Sequence, residues 1–130
     1  MKAIFDQIEL PKKFPLFKLL ENIRDCLGIS PDKLVEVHRA GGVGKNVWKY
    51  ESLLNGGRRV VLNFSELENM ASDPQEYPDE LLCVSDGVYF GISDASFLFV
   101  QAIDKNIETK VLKQFTNFSD VPDVKFKMNP

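Results

Sequence analysis

The chain has 130 residues, 44% hydrophobic and 27% charged, with a formal net charge of −3; that length supports one core rather than two. It contains no run of about 18 apolar residues that would cross a bilayer as a helix, and its N-terminus, MKAIFDQIEL, has acids where a signal peptide needs a basic and then a continuous apolar stretch. The two cysteines, Cys26 and Cys83, make neither a disulfide framework nor a metal-type spacing, so the expectation is a single cytoplasmic domain with reduced thiols.

Leu16, Leu20, Ile23 and Leu27 recur at steps of four and three between Pro15 and Gly28, which predicts an amphipathic helix over 15–27. Residues 33–39 alternate apolar and charged side chains around Val35 and Val37, as on a half-buried strand. Residues 46–52 repeat that style, with Trp48 and Tyr50 two apart, and read as the second arm of a hairpin whose tip is the glycine-rich stretch between them. Asn55-Gly56-Gly57 is a turn signal leading into a third strand over 58–64.

Ser65 and Glu68 have the spacing of a capping box, so a short helix is expected to start there. Asp73-Pro74 and Tyr77-Pro78 then break the chain into loop or helical turns. Val88–Ile92 and Phe97–Val100 read as strands around the turn 93–96, although 95–103 also fits a buried helix. Ile107, Val111, Phe115 and Phe118 predict a helix over 106–117, and Val124–Met128 an extended edge piece. The expected fold is α+β: an antiparallel sheet of about five strands, with an N-terminal helix and a late helix packed on one face.

The stretch Gly41-Gly42-Val43-Gly44-Lys45 resembles the core of a phosphate-binding loop. Such a loop needs a helix directly after it and a Ser or Thr for magnesium. Asn46 stands where the hydroxyl belongs, and the residues that follow read as a strand. A hairpin tip is therefore expected in place of a nucleotide site. His38 is the only histidine, so a thiol enzyme would have to pair it with Cys83 or Cys26, in no supporting spacing. No metal or other cofactor is expected, because the chain has too few His and Cys for zinc and no calcium-loop spacing.

Charge is distributed unevenly. Between Arg59 and Lys105 there is no Lys or Arg, while Glu66, Glu68, Asp73, Glu76, Asp79, Glu80, Asp86, Asp94 and Asp104 all fall there. Sign asymmetry of this kind speaks to partners rather than to fold. An acidic surface docks a basic protein by electrostatic steering while aromatic residues supply the lasting contacts. The expected contacts are Glu66, Glu68, Asp73, Glu76, Tyr77, Asp79 and Glu80, with Tyr77 as first anchor. Nucleic acid is disfavoured by the acidic total, although Arg58 and Arg59 with Lys45 and Lys49 form a modest basic group.

In size, acidity, lack of a catalytic motif and the segment SELENMASDPQEYPDE, the chain resembles the small bacterial immunity proteins that neutralise toxin domains, including those of contact-dependent growth inhibition systems. The resemblance implies a tight one-to-one complex with a cognate toxin, for which a nuclease is the natural basic target, and it transfers no individual residue role. The alternatives are a small nucleotide-binding or thiol enzyme and an acidic adaptor or assembly subunit.

Overall fold

A computed structural model describes residues 1–7 and 14–123. The expected edge piece at Val124–Met128 lies outside the described residues. The fold is α+β, with four helices and an open sheet of seven antiparallel strands, two more than the about five expected. In chain order the elements are β1 (Lys2–Ile4), α1 (Leu16–Leu27), β2 (Leu34–Val43), α2 (Lys45–Asn55), β3 (Val60–Asn63), α3 (Phe64–Ser72), β4 (Tyr77–Ser85), β5 (Val88–Ser93), β6 (Phe97–Ala102), α4 (Lys105–Val111) with a 3-10 turn at Leu112–Gln114, and β7 (Phe118–Asp120). The strand order is β3-β2-β4-β5-β6-β1-β7.

One face of the sheet carries the core. Val35 and Val37 of β2, Leu81 and Cys83 of β4, Phe90 and Ile92 of β5, and Leu98 and Val100 of β6 alternate into a single buried cluster with residues from all four helices. Phe64 at the start of α3 stacks on Phe90, with ring centroids 5.8 Å apart. α1 contributes Leu16, Leu19, Leu20 and Ile23, the stripe its spacing predicts. The residues that alternate to the opposite face include Leu82 and Phe99, both still buried, and Phe97 packed at 5.6 Å on Phe5.

Several expectations change. Residues 46–52 are helix, not a strand: Val47 and Tyr50 are buried at a spacing of three, with Leu54 packed against the same core, a helical stripe that the Trp48–Tyr50 alternation conceals. Asn55-Gly56-Gly57 accordingly closes α2. The N–H of Gly57 bonds to the carbonyl of Leu54 and that of Arg58 to Leu53, the paired bonds of a Schellman helix end. The capping box falls two residues earlier than expected, with Asn63 accepting from the Glu66 amide and Glu66 reaching back to the Asn63 N–H. The predicted break at Tyr77-Pro78 is the start of β4, where Pro78 faces Gly42 at a register shift and its missing donor costs the ladder least. The predicted helix over 106–117 is shorter, ending at Val111 before the 3-10 turn, and 97–102 is strand.

Candidate functional site

β2 runs through the glycine-rich stretch, and Gly44 leads directly into α2. The glycine loop therefore has the strand-before, helix-after context that a phosphate loop requires, and it is not a hairpin tip. An anion does occupy the helix N-terminus, but it belongs to the protein. Glu76, just ahead of β4, is 2% exposed and accepts hydrogen bonds from the Asn46 amide at 2.8 Å and the Val47 amide at 3.3 Å. Gly44 offers no side-chain cap, so the carboxylate satisfies donors that would otherwise be unmade, and its charge faces the positive end of the helix dipole.

The glycines are explained by this packing. Gly42 and Gly44 have φ of +130° and +133°, and a β carbon at Gly44 would overlap the Glu76 carboxylate while one at Gly42 would overlap the Tyr77 carbonyl. The buried Tyr50 phenol is pushed up to about 12, first by burial and then by the negative charges of Glu76 and Glu66.

Above this latch lies an exposed apolar group. Val43 and Tyr77 are cross-strand partners, and Trp48, in the first turn of α2, donates its indole N–H to the Gly42 carbonyl at 2.9 Å. Val43 is 55% exposed, Trp48 56% and Tyr77 38%. Beside Tyr77 is a cleft of about 150 Å3 lined by Phe14, Leu16, Tyr77, Pro78, Asp79, Ile92 and Ala95. Its rim is built by the β5–β6 turn, in which Asp94 and Ala95 both hold left-handed backbone, at φ +46° and +53°. The Ala95 amide bonds to the Asp79 carbonyl at 2.7 Å, and the Asp94 amide to Glu80 Oε2 at 3.0 Å. Glu80 also pairs with Arg39 at 2.8 Å.

The structure divides the expected contacts. Tyr77, Asp79 and Glu80 come together at this end. Glu66 is spent on the α3 cap, and Asp73 accepts from the Gln75 amide in the following turn. Glu68 and Glu76 are buried. Glu68 faces Arg24 at 3.4 Å, and burial raises its pKa above the usual carboxylate range against the pull of that arginine. Within the base-free segment Glu66, Asp73, Glu76, Glu80 and Asp104 each accept from an amide at a helix end or a turn. Val43, Trp48 and the cleft residues of α1 and β5 were not among the expected contacts; the signal for Trp48 is its place on the solvent side of the Val47–Tyr50–Leu54 stripe.

The thiol arrangement is not assembled. Cys83 is fully buried in the core, and burial pushes its thiol far above the ordinary range; Cys26 is half-buried and shifted the same way. Glu36 Oε1 lies 3.6 Å from His38 Nε2. Among the described residues no group of three His, Cys, Asp or Glu side chains is placed to hold a metal, and no helix is long and apolar enough to cross a membrane.

No protein-family model, curated protein sequence or solved structure matches this chain.

Proposed function

We propose that this protein is a stoichiometric inhibitor of the immunity type, which binds a basic protein partner, a toxin nuclease being the favoured class, through the glycine-loop end of its sheet. The observation that carries the reading is the exposed trio Val43, Trp48 and Tyr77, set beside a cleft with Asp79 at its rim. Tryptophan and tyrosine dominate binding hot spots because each removes a large rigid surface from water at little entropic cost. The exposed acids Asp79 and Asp94 lie on the Tyr77 side of this end and the exposed Lys45 and Lys49 on the Trp48 side, so steering toward a basic surface falls to the Tyr77 side. This narrows the interface from the whole acid-rich segment to its Tyr77–Glu80 portion together with the start of α2.

The experiment is affinity capture from the source cells at low salt, with stepwise salt elution, run in parallel on Trp48→Ala/Tyr77→Ala. The expected result is one basic nuclease-like domain held one-to-one by the wild type, lost from the double variant, and toxic to cells unless this chain is co-expressed. Absence of a stoichiometric partner, or equal retention by the variant, overturns the reading.

A further inference from the structure

β3 is one edge of the sheet, and the ladder it forms with β2 fixes which of its backbone groups stay open. The Phe64 amide bonds to the Lys33 carbonyl at 3.0 Å, and the same register pairs Val35 with Leu62 and Val37 with Val60. Antiparallel partners alternate between pairs that exchange both backbone bonds and pairs that exchange none. Counting back from Phe64 in twos, Leu62 and Val60 turn their N–H and C=O toward β2, so Val61 and Asn63 turn theirs outward. The outward Asn63 amide is met by Glu66 Oε1 at 3.4 Å. Among the described residues nothing pairs with the outward groups of Val61. Residues 124–130 are too few to do so: lying along four residues of β3 leaves three, a reach of about 11 Å, to cross the six strand spacings from β7, roughly 29 Å. Residues 8–13, which lead to Phe14 beside β4 and β5, have still less to spare.

An open edge is a template for another strand, and β3 has no Lys, Pro or bulge to prevent it. Val61 is 45% exposed, and Leu34, on the same face one strand in, is 63% exposed. The charges are arranged for self-pairing. Arg58 and Arg59, both exposed, precede the strand, while the Glu66 carboxylate stands at its far end on the outward side. A second β3 laid antiparallel therefore brings base to acid at both ends.

We propose that β3 pairs with β3 of a second copy of this chain about a two-fold axis through Val61, joining two sheets edge to edge. In that register Val61 exchanges both backbone bonds with Val61 of the second copy, Arg59 stands opposite its Asn63, and Arg58 comes beside its Glu66. Pairing over residues 59–63 buries far less than the about 1,200 Å2 of stable interfaces, so the dimer is weak, with a dissociation constant on the order of 100 µM. It shares no residue with Val43, Trp48, Tyr77 and Asp79, the contacts of the inhibitor reading, so either can fail alone.

Sedimentation velocity of the full chain, over concentrations that bracket that constant, should show a monomer passing to a dimer. The Val61 N–H bonds nothing within its own sheet, so Val61→Pro leaves the β2–β3 ladder whole while removing the donor between copies. It is expected to stay monomeric with an unchanged circular dichroism spectrum. Should Val61→Pro not fold, Val61→Lys decides instead: it sets two ammonium groups opposite each other and should weaken association at least roughly tenfold. The axis is tested by Val61→Cys in a Cys26→Ser background, which should form a disulfide-linked dimer on oxidation, since the two α carbons lie about 5.5 Å apart in such a pair. Ile103→Cys in the same background, at an exposed position away from β3, should not. A monomer at every concentration, undiminished association of the folded Val61 variant, or equal cross-linking through Ile103→Cys overturns the proposal.

Discussion

Gly44 and Glu76 fit together as a notch and its filling: the space a β carbon would take at Gly44 holds the Glu76 carboxylate, which in turn bonds the first amides of α2. Either residue without the other leaves the junction between β2 and α2 unsatisfied. Glu76→Ala should therefore cost about 2–3 kcal/mol, the worth of two charge-assisted bonds together with a helix end left bare. Gly44→Ala should cost at least about 2 kcal/mol, since it adds backbone strain at positive φ to the clash. Urea unfolding midpoints measure both. A loss below about 0.5 kcal/mol for Glu76→Ala would mean that the carboxylate is not what holds α2.

The same pairing bears on nucleotide binding. The loop has the right order of elements for phosphate, yet its anion position is filled and Asn46 replaces the magnesium-binding hydroxyl. Labelled ATP and GTP should show no saturable binding at equilibrium, and Lys45→Ala should match the wild type. Saturable binding that Lys45→Ala abolishes would restore the phosphate-loop reading against the geometry of Glu76.

What the sequence discloses depends on how far apart the cooperating residues lie. The stripe Leu16–Leu20–Ile23–Leu27 is contained in one segment and reads directly as α1, and the apolar runs of β5 and β6 are equally local. β1 and β7 are three residues each, too short to display a period of two. Asp86-Gly87, with φ of +48° and +73°, joins β4 to β5 as a two-residue hairpin turn, a local signal present in the sequence that the expected strand set leaves unused. The glycine loop is the opposite case. Its meaning comes from Glu76, which no nearby residue announces. The acid-rich segment likewise shows its charge but not its employment, because Glu68 finds Arg24, Glu80 finds Arg39 and Glu76 finds the Asn46 amide only in the fold.

Ala95 carries strain that can be removed. A β carbon at φ +53° costs about 1–2 kcal/mol, while glycine there would return part of that gain through its freer unfolded chain. Ala95→Gly should thus stabilise the fold by about 0.5–1 kcal/mol, read as a higher thermal midpoint, with the Asp79 carbonyl bond intact. If the variant melts at or below the wild-type temperature, the turn is not strained at this residue.

Asp6 supplies a test of acid sensitivity. Partial burial acts to raise its pKa, but hydrogen bonds from the Thr116 amide and hydroxyl and from the Asn117 amide outweigh that, and the net shift is downward. A carboxyl whose folded pKa lies below its unfolded value of about 3.9 stabilises the fold above that value, and the contribution fades as pH falls through the folded one. These bonds fasten the chain beyond β1 to the segment entering β7. Asp6→Ala should consequently cost about 1 kcal/mol at neutral pH, a modest figure because the carboxylate is partly solvated. The gap between wild type and variant should narrow progressively below about pH 4. Denaturant unfolding at a series of pH values resolves it: a gap that stays constant from neutral pH into strong acid would show that the ionised form of Asp6 is not the species that ties the two segments together.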